Sequence, residues 1–480
     1  MNTSFLPEPK TARQALSELW RDAQLPDTAL ERVTLLGAEH GFPSSFAVGV
    51  ATQAAQAAAA LAATEIDRLR SPGVEAQCVS VDVQHALAEA TGYFTLDGKR
   101  PDIWSPVSGL YPCGEGIGRT GHVRIHANFA HHRDGVLRLL GLAEGEQTTK
   151  AQVAAALRGW DAIDFETRAT GAGLVVAALR SSQAWQTGEV QQAIALQPLV
   201  RITRTADAPP LAWPGKTESE RPLEGLRMLD LTRILAGPVG ARTLAAYGAD
   251  VLMINSPLLP NIESIADMSR GKRSALLDLQ ASSDRTQLQR LIADAHVFIQ
   301  GYRPGSLERI GFGVDEVARL RPGIVHASLS AYGRSGPWAD KRGFDSLVQT
   351  VSGINRDEAD AFGETTPRAL PMQTLDFCAG FLLAFGVQAA LLRQATQGGS
   401  WHVEVSLARV AQWLRSLGRR PVQPSPAAGA PQDLVAPWLQ RSESGFGALE
   451  AVSHAALLSR TPARWTRPSM PPGHDLPAWL

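Results

Sequence analysis

Leu370-Pro-Met-Gln-Thr-Leu-Asp-Phe-Cys-Ala-Gly380, continued through Trp401-His-Val-Glu-Val-Ser-Leu407, decides the fold of this chain. From Phe377 to Leu392 every residue is uncharged, so the run reads as a helix buried in protein or lipid. One acid, Asp376, stands at its head. A carboxylate in such surroundings is costly and calls for a partner or a chemical role. Arg393 ends the apolar run, Gly398 and Gly399 mark a turn, and the alternation His402-Val-Glu-Val-Ser406 predicts a strand.

A similar unit occurs near the N-terminus. Ala47 to Ala63 is uncharged and Ala-rich, Arg68 and Arg70 follow, Gly73 marks the turn, and Val79-Ser-Val-Asp82 supplies the alternating strand. An offset of 324 positions sets Val403 on Val79 and Val405 on Val81, and it places Asp376 on Thr52. A slip of one residue gives Gln53 instead, and no Asp or Glu lies between His40 and Thr64. If the acid is chemical, only the second copy carries it.

At 480 residues the chain is long enough for two to four domains. A net charge of −1 argues against a general nucleic-acid or membrane-surface binder. Three cysteines without Cys-x-x-Cys spacing argue against a disulfide framework or a thiolate zinc site and lead us to expect a cytoplasmic protein. The N-terminus has no basic region followed by an apolar one, so no secretory signal is expected. The run after Asp376 nears membrane-span length, but Cys378, Gln388 and its small residues make a core helix the expectation.

Residues 10–40 read as an amphipathic helix with a short connection. Pro101 to Gly121 is rich in loop residues and leads into an alternating strand over 122–128. Gly116-Ile-Gly-Arg-Thr-Gly121 matches the dinucleotide fingerprint in letters only. A Pro/Cys loop precedes it and a strand follows, so we read a hairpin loop. His126, His131 and His132 lack zinc spacing and read as polar residues at a strand end, and no metal is expected. Thr205 to Pro222 is the clearest linker. Beyond it, Leu226 to Leu231, a helix over 241–248 and Ala249 to Ile254 form a βαβ unit. Strands at 296–300 and 323–329 extend a parallel sheet. Basic residues gather in the loops Arg270-Gly-Lys-Arg273, Arg303-Pro-Gly305, Arg334 and Lys341-Arg342, a pattern suited to a multiply phosphorylated ligand.

Together these passages resemble the family III CoA-transferases, which include the carnitine-metabolism CoA-transferases and α-methylacyl-CoA racemase. The likeness rests on Leu229-Asp-Leu-Thr-Arg-Ile-Leu-Ala-Gly-Pro238, Arg270-Gly-Lys-Arg-Ser-Ala-Leu-Leu-Asp-Leu279, Gln300-Gly-Tyr-Arg-Pro-Gly305, Leu329-Ser-Ala-Tyr-Gly-Arg-Ser-Gly-Pro337 and Gly343-Phe-Asp345. It implies a Rossmann-like parallel-sheet CoA-binding domain plus a smaller α+β domain. It also implies Asp376 as nucleophile, with Arg233, Ala236, Gly237, Arg270, Lys272, Arg273, Tyr302, Arg303, Tyr332 and Gly333 at the coenzyme. CoA is then a substrate rather than a resident cofactor, and acyl-CoA and carboxylic acids are the partners. A homodimer is one expected assembly.

The N-terminal half resembles the small domain of that family, and the tail from Gly445 its closing segment. The expected division is a module over 1–205 without nucleophile, a linker over 206–222, a catalytic domain over 223–420, and a linker and tail over 421–480. A fusion of two trimmed copies accounts for what each half lacks. Phe344 stands where the racemases carry a histidine, which favours transfer over racemisation, and Asn255-Ser256 replaces an expected Glu. The alternatives are an acyl-CoA racemase or epimerase and a non-catalytic CoA-binding homologue. The loop from Ser108 to Gly121 is the candidate lid.

Overall fold

The computed structural model describes residues 9–422 and 431–480, so residues 423–430 of the linker and tail expected over 421–480 lie outside the described residues. Residues 10–40 hold the helix Ala12–Asp22, a short 3-10 turn and the strand β1 (Val33–Leu36), so the expected helix is present and a strand lies within the expected connection. The Ala-rich run forms α1 (Val48–Arg70), followed by β2 (Val79–Asp82) and α2 (Val83–Ala90), whose N-terminus is capped by the Asp82 side chain. Strand β3 (Phe94–Leu96) comes next.

The candidate lid folds as the hairpin of β4 (Gly109–Cys113) and β5 (Gly121–Ile125), with the fingerprint-like residues at its turn. Tyr111 and Cys113 point into a core, so this segment is a packed sheet element and not a covering loop. Helix α3 (Ala130–Leu139) follows, then β6 (Val176–Ala178), which pairs with β5.

The dominant layer is a seven-stranded sheet. It comprises β7 (Arg201–Ala206), β8 (Arg227–Leu231), β9 (Asp250–Asn255), β10 (Lys272–Leu276), β11 (Val297–Gln300), β12 (Val325–Ser330) and β13 (Ser400–Ser406). Their order is β10-β9-β8-β11-β12-β13-β7, parallel except for β7, which runs antiparallel to β13 at the edge. The direction of winding reverses between β8 and β11, the place where open α/β sheets hold their ligands.

Helix α4 (Ala236–Ala246) follows β8 and starts earlier than the expected 241, because Pro238 sits in its first turn where no intrahelical donor is needed. The expected Arg270–Arg273 loop is corrected as well, since Lys272 and Arg273 begin strand β10. Helix α5 (Asp345–Val351) follows β12, and the apolar run forms α6 (Thr374–Gln397), buried along most of its length. It ends at Gly398 and Gly399, both with positive φ. After β13 comes α7 (Leu407–Ser416), capped by the Ser406 side chain, so both Ala-rich units fold as helix, strand and helix.

Helices α1 and α6 lie side by side. Gln388 Nε2 donates to Ala59 O at 2.9 Å, and Thr52 Oγ1 stands 3.9 Å from Cys378 Sγ. On its other face α6 meets α4 so closely that a Cβ on Gly380 would lie 2.6 Å from Ala236 O. That approach brings the heads of α4 and α6 together. The tail returns as β14 (Leu439–Ser444), β15 (Gly447–Val452) and β16 (Ala456–Leu458), with β15 pairing with β3 and β16 with β2. With β7, these pairings interleave the segments on either side of residue 205.

Thr52 is fully buried and donates to Val48 O at 2.8 Å. Thr52→Asp forces an unpaired carboxylate against the Cys378 thiol. It is expected to cost about 3 kcal/mol and to add no activity, which thermal melts and turnover assays will read together.

Candidate active site

Asp376 occupies the first turn of α6, 8% exposed. The residue before the helix offers no side-chain cap. The service comes instead from Asp345 in the first turn of α5, whose Oδ2 accepts from Asp376 N at 3.0 Å and which also accepts from the Leu375 amide. Asp345 is held in turn by Gln349 Nε2 at 2.5 Å, while Gln349 Oε1 accepts from Leu370 N at 3.0 Å and from Asn355 Nδ2 at 3.2 Å. These contacts fix the approach of the chain to Asp376.

Burial pushes both carboxyls up. Asp345 rises to about 6, and Asp376 is raised well above its ordinary value by burial first and by the neighbouring Asp345 second.

A cleft of about 320 Å³ opens at the carboxyl ends of β8, β11 and β12. Its walls include Arg233, Tyr302, Arg303, Arg342 and Phe344, and it is continued by an apolar groove of about 300 Å³ with Leu258, Leu277, Leu279 and Ile310. Tyr302 borders both. Asp376 is not itself among the residues that line this cleft; Phe344, which lines it, directly precedes Asp345, the acceptor of the Asp376 amide.

Among the described residues, Arg233, Arg303 and Arg342 have no carboxylate within ion-pair distance. Arg233 donates to Pro260 O and lies over the Phe129 ring, and Arg342 donates to Gly173 O. Burial lowers the pKa of both, and the neighbouring Arg303 adds to the lowering at Arg342. Ile234, beside Arg233, has φ of 75°, a strained setting for a β-branched residue at the lip of the cleft.

The residues expected at the coenzyme divide into groups. Arg233, Tyr302 and Arg303 line the cleft, while Ala236 and Gly237 begin α4, where a Cβ on Gly237 would strike Thr232 at 2.4 Å. The other basic residues do not reach it. Lys272 is buried on Asp230 at 2.7 Å, Arg273 pairs with Asp250 at 3.0 Å, and Arg270 pairs with Asp267 beneath the Trp465 ring. Their charge is consumed in packing the sheet and tail. Tyr332 is buried against Trp338, and Gly333, with φ of 90°, abuts Gln197.

Sequence reasoning missed the cleft residues Phe129, His131 and His132 from the N-terminal segment, and it named Lys341 and Arg342 only as loop charge. His126 stacks flat on Phe344, centroids 3.9 Å apart, and burial drives its pKa down to about 3, so this ring is neutral.

Residues 223–432 match the family model described as CoA-transferase family III. An acetyl-coenzyme A transferase of Hypoxylon pulicicidum is 34% identical over 52% of this chain and 43% of its own length. A probable fatty acyl-CoA transferase of Mycobacterium tuberculosis is 32% identical over 41% of this chain and 53% of its own. An acetyl-CoA:oxalate CoA-transferase of Acetobacter aceti is 31% identical over 39% of this chain and 51% of its own. The chain thus spans about half the length of the curated relatives it matches. The segment that matches the CoA-transferase family III model, residues 223–432, contains Asp376 and every residue that lines the switch-point cleft except Phe129, His131 and His132.

Proposed function

We propose that the chain moves CoA from an acyl-CoA donor to a carboxylic acid, with Asp376 as nucleophile. The observation that carries this reading is a buried carboxylate whose backbone amide bonds Asp345, the neighbour of Phe344 in the wall of a cleft whose three guanidiniums lack carboxylate partners. Guanidiniums in that state suit the phosphates of the coenzyme, and the apolar groove beyond Tyr302 suits its base. The ionised Asp376 attacks the thioester carbonyl, the C–S bond breaks, and a mixed anhydride and CoA thiolate result. The thiolate then attacks the aspartyl carbonyl, releasing the donor acid and leaving an aspartyl-CoA thioester. The acceptor carboxylate repeats the exchange in reverse order and restores Asp376. Each intermediate keeps the acyl bond energy that hydrolysis would lose.

The matching helix-strand-helix units at α1 and α6 support reading the chain as two trimmed copies, with one nucleophile between them. Chromatography of CoA esters after mixing an acyl-CoA donor with a panel of carboxylic acids tests the activity. Arg303→Ala is expected to weaken coenzyme binding about tenfold or more, read by calorimetry, because one charge-assisted contact is lost. Release of free CoA with no new ester would overturn the reading.

A further inference from the structure

Successive side chains of β5 point to opposite faces of its sheet. Val123 and Ile125 enter a core with Tyr111 and Phe165, so Arg124 and His126 emerge on the other face. That face is covered by α5. Ala177, the cross-strand neighbour of Arg124, is buried in one core with Leu347, Val348 and Val351, and His126 stacks on Phe344. Arg124 therefore faces the start of α5, where Asp345 accepts from the Asp376 amide. Its Nε is buried and has no hydrogen-bond partner among the described residues. Burial lowers the pKa of Arg124, and the charge of Asp345 opposes that lowering. A cation so placed is costly unless an anion nearby compensates it.

The other groups around Asp345 and Asp376 bring no opposing charge. On α6, burial pushes Cys378 up to about 12, and on β4 it does the same to Tyr111, whose hydroxyl donates to Val107 O. His126 is neutral, and His122, on the same face of β5, is lowered by burial and then by Arg356. Strand β6 offers only Val176, Ala177 and Ala178. In the helix Ile354–Phe362, which packs on α5, Asp357 pairs with Arg415 of α7, and Glu358 accepts from Ser44 and Ser45. Arg409 of α7 donates to Gln197 O, and Arg242 of α4 is held by Glu89 and Asp267. Among the described residues, Arg124 is thus the cation left to face the two carboxyls. We propose that Arg124 is a positioning residue for the transfer: acting through Asp345, its guanidinium offsets the charge of the pair and lets Asp376 stand ionised as the nucleophile. The N-terminal segment, which has no acid of its own to offer, supplies the cation that this acid needs. The inference rests on the proposed CoA transfer.

The pH dependence of kcat/KM from about pH 5 to about pH 9, with the acyl-CoA and acceptor that wild type turns over best, tests this role. Arg124→Gln is expected to move the acid limb upward by about one pH unit, so that the loss is about tenfold on the limb and shrinks as pH rises. Arg124→Lys, which keeps the charge, returns the limb to within about 0.3 pH unit of wild type. Thermal melts give a second readout that needs no turnover. Both carboxyls have raised values in the folded state, so the stability they contribute is lost as pH rises through those values, and without the guanidinium the loss is larger. The gap in melting temperature between wild type and Arg124→Gln is therefore expected to widen from about pH 4 to about pH 8. An acid limb that Arg124→Gln leaves in place, or a melting gap constant across pH, assigns the residue to packing and overturns the role. Failure of the proposed function itself is distinct, since wild type would then move no CoA at any pH, whereas failure of the role alone leaves an active wild type and an unmoved limb.

Discussion

Asp376→Asn is expected to abolish CoA transfer, by at least about a thousandfold, while leaving the fold and coenzyme binding in place. The amide is nearly isosteric and keeps the backbone contact to Asp345, but it cannot form an anhydride. The same substitution is expected to raise stability at neutral pH. Burial and Asp345 lift the pKa of Asp376 above its unfolded value, so the folded state binds the extra proton between those two values. Stability contributed by the protonated carboxyl is fully present below the ordinary aspartate range and is lost as pH rises through the raised value. Replacing the carboxyl removes that loss. The melting temperature of the variant should exceed that of wild type near pH 8, and the gap should close below about pH 4. Catalysis shows the opposite slope, because only the ionised form attacks. The acid limb of the wild-type rate profile is therefore expected at higher pH than for an ordinary aspartate, and a limb near pH 4 would mean that another group carries the chemistry.

The largest expected loss of stability lies elsewhere, at Glu89 of α2. Its carboxylate is 1% exposed and accepts from Ala455 N at 2.9 Å, His454 Nδ1 at 3.0 Å and Arg242 Nη2 at 3.3 Å. Arg242 also holds Asp267 at 2.6 Å, and Tyr247 meets His454 at 2.9 Å. One carboxylate thus ties α2, α4 and the tail. Burial alone would raise its pKa, but His454, Arg242 and the Ala455 amide outweigh that and hold Glu89 at about 2. Glu89→Ala leaves a buried guanidinium short of charge and is expected to cost about 3–5 kcal/mol. A depressed carboxylate contributes stability that is present above its unfolded value near 4.5 and lost as pH falls toward 2. Melts of wild type and variant should therefore converge across that window, and a constant gap would show that packing, not charge, is what the substitution removes.

Much of the site was legible because its signals are local. An acid heading an uncharged run marks Asp376, and strand periodicity with intervening helices marks β8, β9, β11 and β12 in nearly their observed places. Charge was a poorer guide. Arg270, Lys272 and Arg273 read as ligand contacts, yet Asp267, Asp230 and Asp250 claim them, and only the sheet order brings those pairs together. Strand β7 and the tail strands escaped because their pairing is long-range: the partner of β2 lies in β16 and that of β3 in β15. His131 and His132 read as polar residues at a strand end, since nothing within that stretch shows that Arg342 will meet them across the cleft. The departure at Phe344 was visible, while the His126 ring that packs on it was not.

The role of Asp376 is tested most directly by incubating the chain with an acyl-CoA, quenching with hydroxylamine and mapping the modified peptide by mass spectrometry. A hydroxamate on Asp376, absent when Asp376→Asn is treated alike, is the expected result. A hydroxamate confined to another carboxylate, or full turnover by the Asp376→Asn variant, would contradict it.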